Sequence, residues 1–168
     1  MIVYVETNFL IELAYLQERC DSCELILDFA KAGAITLALP AFSAAEARFT
    51  LQRRAAERQT FQKSLSKHIR EISRSEPFRG LGVQSKDVIT ALVAGEQEAR
   101  HRLEAAVQAV EERGITIPLT GEVLRLARWH ELNLSLSSQD ALVLASVKFV
   151  SNFTDAVGYI KNALRPPK

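Results

Sequence analysis

The chain has 168 residues, the size of one ordinary domain, and 48% of them are hydrophobic, which is enough for a buried core at this length. This composition excludes a disordered or low-complexity protein, and no apolar run approaches the roughly 20 residues of a membrane-spanning helix. The formal net charge is +1, so a strongly charged surface requires an uneven distribution of charge. Residues 1–9 lack the pattern of a signal peptide, so we expect a cytoplasmic protein with one domain over residues 1–168.

Hydrophobic periodicity and turn residues predict strands that alternate with helices. Short β-branched runs predict strands at 2–5, 35–39, 115–119 and 149–151. Helical spacing predicts a first helix that begins after Asn8 as its cap. Further helices are predicted at 21–32, 43–75, 85–113 and 120–132, and from position 137 or 138 onward. A long helical region of about 43–113 is therefore inserted between the second and third strands. The pattern predicts an α/β fold of three layers, with a central, mainly parallel sheet flanked by helices.

Acidic side chains fall at the carboxyl ends of these strands and at helix starts. Glu6 follows the first strand, Glu46 lies in the first turn after the second strand, and Asp140 begins a late helix, while Asn152 and Asp155 follow the last strand. The functional crevice of a parallel sheet lies at this edge. Clustered carboxylates repel one another unless a hard cation neutralises them, and Mg²⁺ or Mn²⁺ prefers oxygen ligands. The placement predicts a metal site.

Each acidic residue also has a structural explanation. Ser43 and Glu46 have the spacing of a capping box, Ser137 and Asp140 have the related pattern, and Glu6 can pair with an arginine. Cys20 and Cys23 are spaced as C-x-x-C, but without a second ligand pair they are expected to be reduced and inert.

Basic residues dominate positions 48–79, where nine Lys and Arg face only three acidic residues. Such an asymmetry can give a nearly neutral protein a positive face for a phosphate backbone, and the alternative is a solvated helix surface. The residues predicted to face such a phosphate backbone are Arg48, Arg53, Arg54, Arg58, Lys63 and Lys67.

Four segments together resemble the PIN-domain nucleases, a family that includes toxins of bacterial toxin–antitoxin pairs. They are VYVETNFL (3–10), PAFSAAE (40–46), SSQDALVLAS (137–146) and FVSNFTD (149–155). The resemblance implies a PIN-like fold and a metal-dependent endoribonuclease that hydrolyses single-stranded RNA with Mg²⁺ or Mn²⁺. It further implies a homodimer formed through helices such as 88–110, and it leaves open whether an antitoxin partner exists.

Carried over by position, the resemblance gives Glu6, Glu46 and Asp140 as catalytic metal ligands, with Thr7 and Asn8 in support. The fourth acidic position falls on Asn152 as a ligand or on Asp155 as a catalytic residue, and both alternatives stay open. Glu6 is one methylene longer than the family's aspartate, and the segment 141–148 is short for the helix expected before the last strand. The alternative function is therefore a catalytically weakened PIN-like module that binds RNA or a protein.

Overall fold

The computed structural model of the chain describes the backbone of residues 1–79 and 81–163, and the side chains of residues 1–79, 88, 90, 91 and 94–150. The strands are β1 (Ile2–Tyr4), β2 (Thr36–Pro40) and β3 (Ile115–Ile117). The helices are α1 (Thr7–Tyr15), α2 (Cys20–Lys31), α3 (Ala41–Ile72), α4 (Leu81–Arg113), α5 (Gly121–Leu134) and α6 (Ser138–Ala163), and a single 3-10 turn (Glu76–Phe78) lies between α3 and α4.

The three strands form one parallel sheet in the order β1–β2–β3. Val3 pairs with Leu37, and Leu39 pairs with Thr116, so β2 is the central strand. Leu37 and Leu39 on one face of β2 are each 1% exposed and Ala38 on the other face is 0% exposed, so both faces of the central strand are covered. The strands lie within two residues of the predicted ranges at 2–5, 35–39 and 115–119.

The predicted PIN-like three-layer fold with a central sheet is wrong. The protein is 76% helical, with six helices in the described residues and a sheet of only three short strands. The predicted fourth strand at 149–151 lies inside α6. A sheet this small cannot cover the helices, so α5 and α6 pack chiefly on each other through Val123, Ala127, Ala141 and Ala145.

The main core joins the sheet to α1, α3 and α4. Leu10 of α1, Leu37 of β2 and Leu103 of α4 are among its most deeply buried residues. At the end of α4, Gly114 brings the chain against β2 so closely that an added Cβ would lie 2.5 Å from the carbonyl oxygen of Leu37. Glycine is therefore required where α4 passes into β3.

Several small and apolar residues of the predicted dimer helix at 88–110, which is part of α4, lie within this core. Ala99, Leu103, Ala106, Val107 and Val110 are all buried. They are occupied by intramolecular packing, and the predicted homodimer gains no support from them. None of the helices in the described residues combines the length and apolar character that a bilayer crossing requires.

Cys20 and Cys23 are free thiols on the buried face of α2, as the sequence predicts. Burial is the largest cause that raises the pKa of both thiols. The carboxylate of Glu24 raises the pKa of Cys20 further, and that of Glu12 raises the pKa of Cys23. Both cysteines therefore belong to the packing of α2.

Candidate nucleic-acid interface and carboxylate site

The segment between β1 and α1 carries three of the predicted site residues. Glu6 is the cap residue that precedes α1, but its carboxylate makes no capping hydrogen bond. It accepts a hydrogen bond from Asn8 Nδ2 at 3.1 Å instead. The sequence predicts Asn8 as the cap of this helix, but Asn8 is the second residue of α1. Its side-chain amide holds the exposed Glu6 carboxylate.

Thr7 connects this segment to α3. Its hydroxyl donates a short hydrogen bond to Glu46 Oε2, and the carbonyl oxygen of Ser43 lies 3.4 Å from the same hydroxyl. This hydrogen bond places the Glu46 carboxylate at the start of α1, beside Thr7, and Thr7 directly follows Glu6 in the sequence. The supporting role at a metal site that the resemblance assigns to Thr7 stays a prediction.

The predicted capping box of Ser43 and Glu46 does not form. Pro40 precedes α3, the helix begins at Ala41, and its cap residue makes no side-chain hydrogen bond. Ser43 is consequently inside the helix, where its hydroxyl is fully buried without a partner. The Glu46 carboxylate is therefore not used to cap α3.

Asp140 lies in a helix cap, which is the role that its sequence pattern gave as the alternative to metal binding. Ser137 Oγ accepts a hydrogen bond from the Asp140 backbone N–H at 3.2 Å and donates one to Asp140 Oδ2 at 2.7 Å. The bond from the backbone N–H caps α6, which begins at Ser138, and the second bond holds the Asp140 carboxylate against Ser137. Its neighbour Gln139 reaches the cavity that Glu46 lines.

The donors for a divalent cation do not assemble as the sequence predicts. Among the described side chains, no group of three or more His, Cys, Asp or Glu residues is close enough to hold a metal ion. Asp140 is hydrogen-bonded to Ser137 instead of joining Glu6 and Glu46 in such a group. Asn152 and Asp155 lie on α6 and not after a strand, and their side chains lie outside the described residues. The observed arrangement does not fit a three-carboxylate metal centre.

A cavity of about 650 Å³ opens beside Glu46. One wall is a face of α3 with two aromatic rings, a carboxylate, a hydroxyl and a guanidinium, and the other is the start of α6. The lining residues are Phe42, Glu46, Phe49, Thr50, Arg53 and Gln139. Phe49 is 70% exposed, so this cavity presents an aromatic ring to solvent.

A second cavity of about 510 Å³ lies farther along α3, where α4 packs against it. Its lining includes four cationic side chains, Arg58, Lys63, Lys67 and Arg70, and one carboxylate, Glu96. Glu96 Oε1 is buried without a hydrogen-bond partner. Within the described part of the chain, none of the four cations forms an ion pair. The cavity therefore concentrates uncompensated positive charge.

The remaining predicted RNA-binding residues differ in their surroundings. Arg48 binds the Glu104 carboxylate with two hydrogen bonds of 2.9 and 2.7 Å, which raise the pKa of Arg48 and lower that of Glu104. Its charge is compensated, so it does not belong to the positive surface. Arg54 and Arg58 lie over the ring of Tyr15, with guanidinium-to-centroid distances of 5.0 and 4.9 Å. These stacked arginines also anchor α3 to α1.

The sequence did not lead us to the aromatic residues Phe42 and Phe49 of the cavity beside Glu46, or to Arg70 of the basic cavity. Phe42, Glu46, Phe49 and Arg53 follow one another at spacings of four, three and four, which is the signal of a single helical face. The same spacing extends Lys63 and Lys67 to Arg70.

Comparison of the chain with models of protein families, with curated proteins and with solved structures gives no match.

Proposed function

We propose that this protein binds single-stranded RNA along α3, on a basic surface formed by Arg53, Arg58, Lys63, Lys67 and Arg70. The observation that carries the proposal is the cavity in which four of these cations face one carboxylate. Repulsion among like charges favours a bound polyanion, and each neutralised phosphate releases counterions from the nucleic acid. From Arg53 to Arg70 the surface runs about 26 Å along the helix, at 1.5 Å per residue.

An exposed aromatic ring on the same helix favours a single strand over a duplex. Phe49 is 70% exposed and lies one turn before Arg53 on the same face of α3. Unstacked bases of a single strand can stack on such a ring, whereas a duplex keeps its bases paired inside.

The test measures the binding of a fluorescent single-stranded RNA oligonucleotide at several salt concentrations. Four phosphate contacts predict a slope of log K against log salt of about −3, since each contact to a single strand contributes about −0.7. Lys63→Ala with Lys67→Ala should reduce this slope by about 1.4. The matched control is Lys31→Ala with Arg128→Ala, which removes the same charge from α2 and α5. Binding that does not depend on salt, or equal losses in both variants, would overturn the proposal. Single-stranded DNA of the same sequence tests the preference for RNA.

Metal-dependent cleavage of the bound RNA is the second candidate function. It is favoured by one observation, that the Glu46 carboxylate does not cap α3 but lies beyond the strand ends beside Thr7. With Glu6 and Glu46 as ligands, Mg²⁺ or Mn²⁺ would supply an activated water and neutralise charge on the phosphate. Asp140 would have to leave Ser137 to join them.

A cleavage assay with Mn²⁺ separates the two candidates. Cleavage that is lost in Glu46→Gln, with RNA binding retained, would support the nuclease. Binding of RNA without Mn²⁺ uptake or cleavage would reject the nuclease and leave the RNA-binding proposal standing. The antitoxin partner, the homodimer and the cytoplasmic location stay predictions.

A further inference from the structure

We propose that the cavity beside Glu46 is a base pocket, which holds one nucleobase of the bound strand stacked on Phe49. The base pocket is defined by Phe42, Glu46, Phe49, Thr50, Arg53 and Gln139. The inference rests on the proposed RNA-binding function and adds to it the position and chemistry of one subsite.

The surroundings of Phe49 distinguish it from other exposed apolar residues. Single exposed hydrophobic side chains are normal on protein surfaces, so the 70% exposure of Phe49 alone decides nothing. Phe61 is exposed to a similar extent but lines neither the cavity beside Glu46 nor the basic cavity farther along α3. Phe49 instead lies in a concavity of about 650 Å³, within the range of small-molecule sites.

The order of residues along α3 places the pocket at the end of the basic surface. Phe42, Glu46, Phe49 and Arg53 lie on one face of the helix because their spacings are three and four. Arg53 belongs both to this pocket and to the basic surface that continues toward Lys63. A strand that follows the cations therefore arrives at the pocket by way of Arg53.

Charge decides which part of a nucleotide occupies the pocket. Glu46 is the one carboxylate among the described lining residues, and it repels a phosphate. A base has no formal charge and presents flat faces to Phe49, while Arg53 can hold the adjacent phosphate or stack on the base. The pocket therefore suits the base, and the phosphates lie over Arg53 and the cations beyond it.

The hydrogen-bonding groups of the pocket predict which base is preferred. Glu46 Oε2 accepts the Thr7 hydroxyl, while Oε1 has no partner among the described residues. An ionised carboxylate only accepts hydrogen bonds, so it favours an exocyclic amino group, as on cytosine or adenine, over the carbonyl oxygen of uracil. Gln139, at the opposite wall, offers both an amide donor and an acceptor.

The experiment compares three eight-residue RNA oligonucleotides: oligouridine, the same strand with one central cytidine, and the same strand with one abasic position. Wild-type protein should bind the cytidine strand most tightly and the abasic strand most weakly. Phe49→Ala should weaken binding of the cytidine strand about five- to one-hundred-fold, the contribution of one base–aromatic stack, without changing the salt slope. Phe49→Trp should retain binding, and the matched control Phe61→Ala should leave the difference between the cytidine and abasic strands unchanged. Glu46→Gln should reduce the preference for cytidine over uridine.

The outcomes separate this inference from the function on which it rests. If no oligonucleotide binds with a salt-dependent affinity, the proposed function and the base pocket both fail. If binding is salt-dependent but Phe49→Ala behaves like Phe61→Ala, the base pocket alone is rejected. A change in hydrodynamic mass of Phe49→Ala with unaltered RNA affinity would show that Phe49 mediates self-association, and would also overturn the pocket.

Discussion

Thr7 at the start of α1 donates its hydroxyl hydrogen to the Glu46 carboxylate on α3, across 39 positions of the sequence. Each residue lies just beyond the carboxyl end of a parallel strand, β1 for Thr7 and β2 for Glu46. The contact therefore joins the two chain segments that leave adjacent strands. It also orients the carboxylate that lines the base pocket.

Removal of this hydroxyl should cost stability. Thr7→Val keeps the shape of the side chain but leaves Glu46 without its partner, and we expect the free energy of unfolding to fall by about 1 kcal/mol. Urea denaturation measures the change. Thr60→Val is the control, because the Thr60 hydroxyl bonds only the Ala56 carbonyl of its own helix, and its effect should stay within about 0.5 kcal/mol. Equal losses in both variants would contradict a specific role for the contact.

Two glycines near α4 should respond to alanine in opposite directions. Gly114→Ala would place Cβ 2.5 Å from the Leu37 oxygen and 2.7 Å from the Val110 oxygen, and these backbone atoms cannot easily move. We expect a loss of about 1–3 kcal/mol, as for other overpacked sites. Gly95→Ala meets no atom within 4 Å inside the helix, so it should gain up to about 1 kcal/mol in stability. Thermal unfolding of both variants checks the predicted signs.

The Arg48–Glu104 pair should stabilise the protein at neutral pH and lose its effect in acid. The hydrogen bonds from Arg48 lower the pKa of Glu104 below the ordinary value of 4.5. A carboxyl with a lowered pKa in the folded state contributes stability above its unfolded pKa, and that contribution is lost as pH falls through the folded value. Glu104→Gln should therefore lower the unfolding temperature at pH 7 and have less effect near pH 3.

The contribution should be modest, because both side chains are about half exposed. Glu71→Gln, at an exposed position of α3 that has no ion pair in the described residues, is the control. A pH-independent difference between Glu104→Gln and wild type would contradict the assignment.

The buried thiols should resist alkylation. Because burial raises the pKa of Cys20 and Cys23 above the ordinary value of 9.0, little thiolate is present at pH 8, and iodoacetamide should react far more slowly with folded than with urea-unfolded protein. Glu24→Gln removes a carboxylate that raises the pKa of Cys20, so it should accelerate alkylation there more than at Cys23. Mass spectrometry of the labelled peptides distinguishes the two sites. Rapid labelling of the native protein would show that the thiols are accessible.

Strands and the break between the long helices could be predicted because local signals decide them. The β-branched runs of β1, β2 and β3 are short and bounded by turn residues, and the interval between the predicted helices at 43–75 and 85–113 contains the 3-10 turn. The apolar run at 149–151 was misassigned, since a short run fits a strand or a buried helix equally well. Ala141, Ala145 and Phe149 repeat every four residues and pack against α5, and this longer pattern indicates the helix.

The candidate site was only partly accessible from sequence. The position of Glu46 beyond a strand follows from local pattern, and so does the capping contact of Ser137 with Asp140. The cross-chain contact of Thr7 with Glu46 and the pairing of Arg48 with Glu104 depend on how helices pack, which spacing along one helix does not determine. For the same reason, a charge count could not separate the compensated Arg48 from the uncompensated Lys63.

Folding and binding make separate demands on α3. All residues of this helix are described, the last of them to be buried is Leu51, and the basic surface begins two residues later, at Arg53. Ala44, Ala47 and Leu51 are constrained by packing, whereas exposed positions beyond them can change at little cost in stability. In the course of evolution the distal part of the helix can therefore gain, shift or lose the proposed affinity for a polyanion while the sheet and its core persist. Divergence among relatives should thus concentrate on the Lys and Arg positions, and sequence drift there would alter ligand choice before it altered the fold.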